Sequence, residues 1–581
     1  MKLKTLQKLY RFTDILILFF LIFDFGFTIN EDYKPFRILI YSSITLLLIT
    51  FNLIKYFQYA KSIPAGKKTI EFNIGILVTT LVSAFTIYYL NQHLPPVEQL
   101  MRPKVVFELG LFFYLLIRLT FFIKYIYKIY FNPAILFVGS FFILILIGAL
   151  LLMLPRVTVN GISFIDALFT ATSAICVTGL AVLDTGKDFT ELGQTLIIIL
   201  IQIGGLGILT FTSFFAYFFK ENSSYRESMY MKDYTSTENL QDVFKITAQI
   251  VGFTLALELV GAILIYLSID TISTIDNKIF FSIFHSISAF CNAGFSTSSS
   301  SFYEPTLRYD YSLQWVLMLL IVIGGIGYSF IFNSFSYLKR SFLNLFRKKN
   351  KLKTTVRVFT LNSKITIVTT SILLVVGFIF FYFSEANFSL QDHDSAYGKI
   401  TTAMFSSVTP RTAGFNTVDY TQVATPSLLF VILLMWIGAS PGSTGGGIKT
   451  STFAIATLNI LATARGKKRI ELNTREISSS TVNRAFSIIC ISLITIGTAI
   501  LLLLFFEPDK DLLAIAFECF SAYSTVGLSL NLTPTLSDPS KYVIIAVMFV
   551  GRIGLLNLLF GMLGQVEQKF YQYPQENILI N

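Results

Sequence analysis

The chain has 581 residues, of which 54% are apolar and 14% charged, whereas a soluble domain carries charge on about a quarter of its residues. That balance excludes a soluble enzyme, a disordered tail and a coiled coil, and the 59 Phe residues suit lipid-facing and helix-packing surfaces. The net charge of +11 would suit nucleic acid in a soluble protein, so the basic residues must first be placed against membrane topology.

A helix needs about 20 apolar residues to cross the hydrocarbon core. Four apolar segments come first, near 13–30, 36–56, 72–90 and 105–130. Lys2, Lys4, Lys8 and Arg11 precede the first of them, but no small-x-small cleavage site follows, so it reads as an uncleaved anchor. Longer stretches follow near 133–154, 191–219, 244–269, 311–338, 364–384, 426–457, 483–506 and 541–564. Twelve spans put both termini on one side. Residues 339–364 hold nine basic residues and no acid, and 465–484 hold Arg465, Lys467, Lys468, Arg469, Arg475 and Arg484 against two glutamates. Lys55, Lys61, Lys67 and Lys68 mark the loop after the second span, and these basic loops alternate with weakly charged or acidic ones. The positive-inside rule then makes the termini cytoplasmic, and the basic excess becomes an orientation signal with no nucleic-acid partner implied. The cysteines (176, 291, 490, 519) lack CxxC spacing and the histidines (93, 285, 393) lie far apart. No disulfide framework or zinc site is indicated.

The connections between alternate spans share a pattern. They read Ser173-Ala-Ile-Cys-Val-Thr-Gly179-Leu180, Ser288-Ala-Phe-Cys-Asn-Ala-Gly294-Phe295, Val408-Thr-Pro-Arg-Thr-Ala-Gly414-Phe415 and Ser521-Ala-Tyr-Ser-Thr-Val-Gly527-Leu528. The glycines lie 115, 120 and 113 residues apart, a fixed period that marks a repeated unit. A second marker follows each glycine inside the next span: Ile203-Gly-Gly-Leu-Gly207, Ile323-Gly-Gly-Ile-Gly327, Ile437-Gly-Ala-Ser-Pro441 and Val550-Gly-Arg-Ile-Gly554. Glycine weakens a helix interior, so its recurrence predicts bending or close packing; ordinary small-residue helix packing is the competing reading. Each glycine turn is preceded by a helix too short to cross, near 165–173, 280–290, 397–407 and 511–521. Non-helical backbone at membrane depth survives only where it is buried in protein or lines water. Four such turns around one axis would present rings of carbonyl oxygens that replace a cation's hydration shell.

The expected fold is therefore an all-α polytopic membrane protein. Its units of span, pore helix, filter turn and span occupy 131–235, 236–350, 351–470 and 471–581, the last with a short tail, and 1–130 adds about four helices.

On these segments the chain resembles the Trk/Ktr/HKT superfamily of potassium transporters, specifically the bacterial TrkH/KtrB-like subunits, over about 133–566. Its most specific pieces are residues 172–180, 408–416 and 438–449. The resemblance implies a potassium-channel-like pore in which the four glycines form a K+ selectivity filter. Val177, Thr178, Gly179, Asn292, Ala293, Gly294, Thr412, Ala413, Gly414, Thr525, Val526 and Gly527 would bind K+ by backbone carbonyls alone. Gly179 in the first unit, where sodium-admitting relatives tend to carry serine, favours potassium. The resemblance also implies a homodimer in the bacterial inner membrane, controlled by a cytosolic nucleotide-binding (RCK-type) subunit, with no cofactor in this chain. The first 130 residues depart from the family pattern; they would cover lipid-facing surface or alter how two subunits meet.

Within the third unit, Gly438–Lys449 interrupts an apolar span, and Pro441 with five glycines there cannot sustain a regular helix. The resemblance makes this loop the gate, formed by Gly438, Ser440, Pro441, Gly442, Ser443, Thr444, Gly445, Gly446, Gly447 and Lys449 with Arg552; a simple kink is the competing reading. The loop misses the Walker A register by one residue, since Ile448 separates Gly447 from Lys449-Thr450. Arg552 stands where the other units carry Gly205, Gly325 and Ala439. An arginine at mid-span needs water or a partner, and either the loop's carbonyls and hydroxyls or Glu258 would serve. Arg411 reads as a structural contact at the outer mouth, Asp184, Asp392 and Asp394 as outer-mouth acids, and His285 as a packing or hydrogen-bonding residue. A symporter coupled to Na+ or H+ would need intramembrane acids, for which Glu258, Asp24 and Glu108 are the candidates. A membrane enzyme would need a convergent catalytic set that the sequence lacks.

Overall fold

The computed structural model describes residues 15–20, 22–24, 26–27, 133–219, 243–269, 275, 277–328, 330–331, 334, 361–467, 469–472 and 475–554. The chain divides into two units, residues 1–131 with 154–157, and the remainder. In the first, the described residues include a helical stretch within 15–26; the other three expected N-terminal spans and Glu108 lie outside the described residues.

Among its described residues the second unit is helical apart from a short hairpin and the connecting turns and loops. Its helices are α1 (Pro133–Leu152), α2 (Phe164–Ile175), α3 (Glu191–Phe219), α4 (Val243–Ser268), α5 (Lys278–Cys291), α6 (Tyr311–Ile326), α7 (Leu361–Ser384), α8 (Ala396–Val408), α9 (Thr425–Trp436) and α10 (Thr450–Ala464). The antiparallel pair β1 (Ile470–Leu472) and β2 (Arg475–Ile477) follows, then α11 (Ser479–Phe506), α12 (Leu512–Ser524) and α13 (Asp538–Ile553). The hairpin sits in the basic segment 465–484 and was not anticipated from its composition.

Among the described residues, three helices are long and apolar enough to cross a membrane: 249–268 of α4, α7 and α11. Each leaves large apolar side chains uncovered, such as Leu259 and Leu267 on α4, Val368 and Phe383 on α7, and Leu501 and Phe505 on α11. Helices apolar on an uncovered face are solvated by lipid rather than water. The protein is a multi-pass membrane protein.

The short helices α2, α5, α8 and α12 start and stop by the same devices. Each begins at a side-chain cap: Ser163 accepts from the Asp166 amide, Asn277 from Phe280, Ser395 from Gly398, and Asp511 from Leu513 and Ala514. Such caps satisfy donors that the first helical turn leaves free. The helices run one to three residues past the expected ends, except that α12 starts one residue late at Leu512, because the caps and the final turn carry no apolar signature.

Packing of these four helices follows a closed order. Besides a long helix of its own unit, α2 packs on α13, α5 on α3, α8 on α6 and α12 on α9. Each short helix thus meets the second long helix of the unit before it, and the first unit meets the last. The core between them is aromatic: Phe290, Phe302, Phe405, Phe415 and Phe517 are fully buried.

Two expected spans are not continuous helices. That near 311–338 breaks at Gly327 (φ +93°), and that near 541–564 ends its helix at Ile553 before Gly554 (φ +82°).

Candidate functional site

Four turns follow the short helices, and their backbones repeat. Val177, Asn292, Thr412 and Thr525 all adopt left-handed conformations, with φ of 57°, 60°, 69° and 51°. Three of these are β-branched, for which this region costs about 1–2 kcal/mol per residue. Main-chain bonds back to the helix ends offset the strain at about 1 kcal/mol each: Thr178 to Ser173 (2.8 Å), Ala293 to Ser288 (2.8 Å), Ala413 to Thr409 (2.9 Å) and Val526 to Ser521 (2.9 Å).

Two residues later come Gly179, Gly294, Gly414 and Gly527, again at positive φ. A side chain on Gly179 would strike the carbonyl of Ala293, one on Gly294 that of Ala413, one on Gly414 that of Val526, and one on Gly527 that of Thr178. Each glycine therefore abuts the carbonyl preceding the next glycine, and the series closes on itself. Only glycine satisfies both the backbone conformation and this approach. All four glycines border one cavity of about 460 Å³, also lined by Ser296, Asn416, Ser529, Asp184 and Asp419.

Asp184 Oδ1 accepts from the Gly186 amide (2.8 Å) and Asp419 from the Thr421 amide (3.0 Å), so both acids shape their own turns. Of the expected outer acids, Asp392 instead pairs with Arg308 (2.5 Å), and neither it nor Asp394 lines the cavity. Asp419 was missed because it is an isolated acid in an otherwise unremarkable loop.

The second marker explains how the long helices approach the turns. A side chain on Gly204, Gly324 or Gly551 would collide with the carbonyl of Ile175, Phe290 or Tyr523, each four residues before its glycine turn. The marker records close packing of the following helix on the end of the short helix.

Between α9 and α10, residues 437–449 leave helical geometry, and a bridge between Ile437 and Ile448 closes the base of the loop. The loop lies against the third and fourth turns: side chains on Gly445 and Gly446 would strike the hydroxyls of Thr412 and Thr525. Its other anchors are distant in sequence. Ser440 N donates to Gly325 O (3.0 Å), Tyr328 N to Gly442 O (3.1 Å), and Thr444 Oγ1 to the carbonyls of Gly324 and Phe290 (both 3.3 Å).

Among the described residues, the loop's own Lys449 and two arginines from outside it bind its carbonyls. Lys449 Nζ donates to Gly445 O (2.5 Å), and Arg411 Nη2 to Gly438 O (2.9 Å). Arg552, buried in α13, donates to the carbonyls of Thr444 and of Gly204, the latter at 2.6 Å. Arg411 is thus at the loop rather than the outer mouth: the sequence placed it beside the third turn, but its buried side chain runs to the loop's first glycine. Glu258 is engaged elsewhere, accepting from Gln202 Nε2 (3.2 Å) with the Cys291 thiol 3.7 Å away. His285 is buried, its ring bonded to Phe281 O and Ser296 Oγ.

Residues 124–572 match the family model described as TrkH, cation transport protein. The chain is 38% identical over 451 residues to the Ktr system potassium uptake protein B of Vibrio alginolyticus, covering 76% of this chain and 93% of that relative. It is 36% identical over 456 residues to the potassium/sodium uptake protein NtpJ of Enterococcus hirae, covering 77% and 97%. In fold it resembles the crystal structure of the potassium transporter TrkH from Vibrio parahaemolyticus, with a TM-score of 0.58 at 17% identity, covering 89% of this chain and 96% of that one. With a family model spanning most of its length and relatives above 30% identity matched almost end to end, the chain belongs to the TrkH family of cation transport proteins.

Proposed function

We propose that this protein takes up potassium through a gated, channel-like pore formed by four repeats of long helix, short helix, glycine turn and long helix. The observation that carries this reading is the closed series of glycine turns facing one cavity. Backbone carbonyls there replace the hydration shell of K+, as in filters built from carbonyl rings. Residues 177–179, 292–294, 412–414 and 525–527 form the filter, and the pore units keep the boundaries 131–235, 236–350, 351–470 and 471–581. The names of the relatives support potassium as the ion.

Gly438–Lys449 with Arg552 forms the gate. Its loop lies against two turns, and Lys449, Arg411 and Arg552 place fixed positive charge around it. Two like charges 6 Å apart repel by about 3 kcal/mol at an effective dielectric near 20, enough to slow a cation more than a hundredfold. In this reading the gate is closed while the loop stays against the turns. Opening requires the loop to leave the carbonyls of Gly324 and Gly325. In the cell we place the protein as a homodimer in the bacterial inner membrane, with cytoplasmic termini and a cytosolic nucleotide-binding partner that moves the loop.

Coupled K+ symport is the second reading, favoured by one observation, the buried Glu258 with its Gln202 contact. Rubidium-86 uptake into proteoliposomes, competed by K+ and Na+, with and without a pH or Na+ gradient, separates the two. Uptake that K+ competes without any gradient supports the pore. Uptake that needs a gradient supports coupling, and failure of K+ to compete removes both.

A further inference from the structure

Every turn has a hydroxyl anchor at the end of its short helix: Ser173 and Ser521 accept from the amides of Gly179 and Gly527 (both 3.1 Å), and Ser288 and Thr409 donate to the carbonyls of Phe295 (2.8 Å) and Phe415 (2.5 Å). Two turns, diagonally across the ring, carry a further one. Nine residues before the glycine, the short helices present Thr170, His285, Phe405 and Glu518; two residues after it stand Ala181, Ser296, Asn416 and Ser529. Only the second and fourth units pair a buried ionisable group with a serine. Both contacts form: His285 Nε2 lies 3.0 Å from Ser296 Oγ, and Ser529 Oγ donates to Glu518 Oε1 at 3.0 Å. Thr533 Oγ1 donates to the same carboxyl oxygen.

The chemistry matches although the residues differ. His285 Nδ1 lies 2.9 Å from the carbonyl of Phe281, which only accepts, so Nδ1 carries the proton and Nε2 is the acceptor. Ser296 therefore donates to His285, while its oxygen accepts from the Ser298 amide (3.0 Å). In both units a buried acceptor on the short helix holds the hydroxyl that follows the filter glycine. His285 and Glu518 are both fully buried, and neither lines the cavity. In the first unit Thr170 faces Ala181 in this register, and its hydroxyl has no hydrogen-bond partner among the described residues. In the third, Phe405 belongs to the apolar core.

We infer that His285 and Glu518 are positioning residues for ion selectivity, tethering the second and fourth filter turns along one diagonal of the ring. The inference rests on the pore reading above. To coordinate the smaller Na+, the ring of carbonyls must contract. Every turn is held by main-chain and hydroxyl bonds to the end of its short helix. In these two units it is held once more, two residues past the glycine, and that further tether resists contraction along its diagonal.

The test is the ratio of K+ to Na+ concentrations that half-compete rubidium-86 uptake in proteoliposomes, with melting temperature measured on the same preparations. Glu518→Leu and Ser529→Ala should each strengthen Na+ competition relative to K+ by about fivefold, the scale of one net hydrogen bond. Combining them should add nothing further. Glu518→Gln should restore the wild-type ratio, since its amide oxygen still accepts. His285→Leu should repeat the shift on its own unit and add to Glu518→Leu. Wild-type ratios in Glu518→Leu and Ser529→Ala, with or without a lowered melting temperature, would overturn the inference. So would a shift in Glu518→Gln as large as that in Glu518→Leu. If Glu518→Leu cannot be purified, Ser529→Ala and Ser296→Ala decide alone by the same criterion. Wild-type protein lacking K+-competed uptake would instead defeat the pore reading itself.

Discussion

The glycine turns and the loop at 437–449 are made of similar residues, yet they are held in opposite ways. Each turn is fixed by its own short helix, through bonds spanning about one helical turn, such as Val526 to Ser521. The loop is held by groups far away in sequence: Gly324 and Gly325 at the end of α6, Gly204 through Arg552, and Arg411. Local anchoring makes a turn that persists whenever its helix does. Long-range anchoring makes a segment whose position depends on how its neighbours stand. The same residue type thus supplies both segments, which the proposed function makes the fixed and the movable parts of one pathway, and the difference lies in the reach of the hydrogen bonds.

The largest test of the fixed part is Gly414→Ala. Its backbone sits at φ +78° and its missing side chain leaves room for Val526 O. Strain and collision together should exceed about 3 kcal/mol, so K+-competed rubidium uptake should fall at least about 100-fold. Uptake within threefold of wild type would show that the turn is not a filter.

The corresponding test of the movable part runs in the other direction. Arg552→Ala removes two charge-assisted bonds that tie the loop to α13 and α3. Such bonds are worth about 1.5–3 kcal/mol, so uptake should rise roughly tenfold. Unchanged or lower uptake at normal protein recovery would sink the gate. An enhanced rate with an unchanged K+/Na+ ratio would show that the loop regulates flux without setting selectivity.

How far these parts could be read from the sequence follows from the same distinction. The turns were legible because local structure writes itself locally: Gly179, Gly294, Gly414 and Gly527 recur at a period, and each follows a run of small residues. The close-packing markers at Gly204, Gly324 and Gly551 were legible for that reason too, although their contact partners were not. The anchors of the loop were hidden because they are main-chain carbonyls, at Gly324, Gly325 and Phe290, and a carbonyl has no letter of its own. Arg411 shows the same limit, since sequence gives its neighbours but not the direction of a long side chain. His285 and Glu518 were recoverable only by aligning the units on their glycines, because no single unit reveals that an acceptor nine residues before the glycine pairs with a serine two after it.

A seam outside both parts offers a control. Lys541 of α13 meets Asp166 of α2 at 2.6 Å, with the two side chains only 11% and 18% exposed. Because this contact joins the last unit to the first, Asp166→Asn should lower the melting temperature by several degrees, in line with the roughly 3 kcal/mol lost when a buried pair is broken. The K+/Na+ competition ratio should stay within about twofold, since the seam makes none of the short-range bonds that shape a turn. A changed ratio would mean that filter geometry depends on ring closure as well as on each helix.

The smallest effect should come from the seam between the second and third units, where His393 bonds Tyr311 Oη (3.0 Å) through Nδ1 and Thr402 Oγ1 (3.1 Å) through Nε2. This imidazole lies in the loop before α8, and burial, with Arg308 adding to it, holds its pKa below the ordinary 6.5. Asp392 and Asp394 oppose that shift while Lys399 reinforces it. A depressed folded-state pKa means that the fold favours the neutral ring. The associated stability is fully present above the unfolded value and drains away as pH falls from there through the lower folded value. The wild-type melting temperature should therefore drop between about pH 7.5 and pH 5.5, and His393→Gln, which cannot titrate, should flatten part of that drop. Because the seam touches neither the turns nor the loop, the competition ratio should not follow pH in step with the melting temperature. If it does, the outer loops and the filter form one cooperative unit, and the contrast between locally and remotely anchored segments would have to be redrawn to include them.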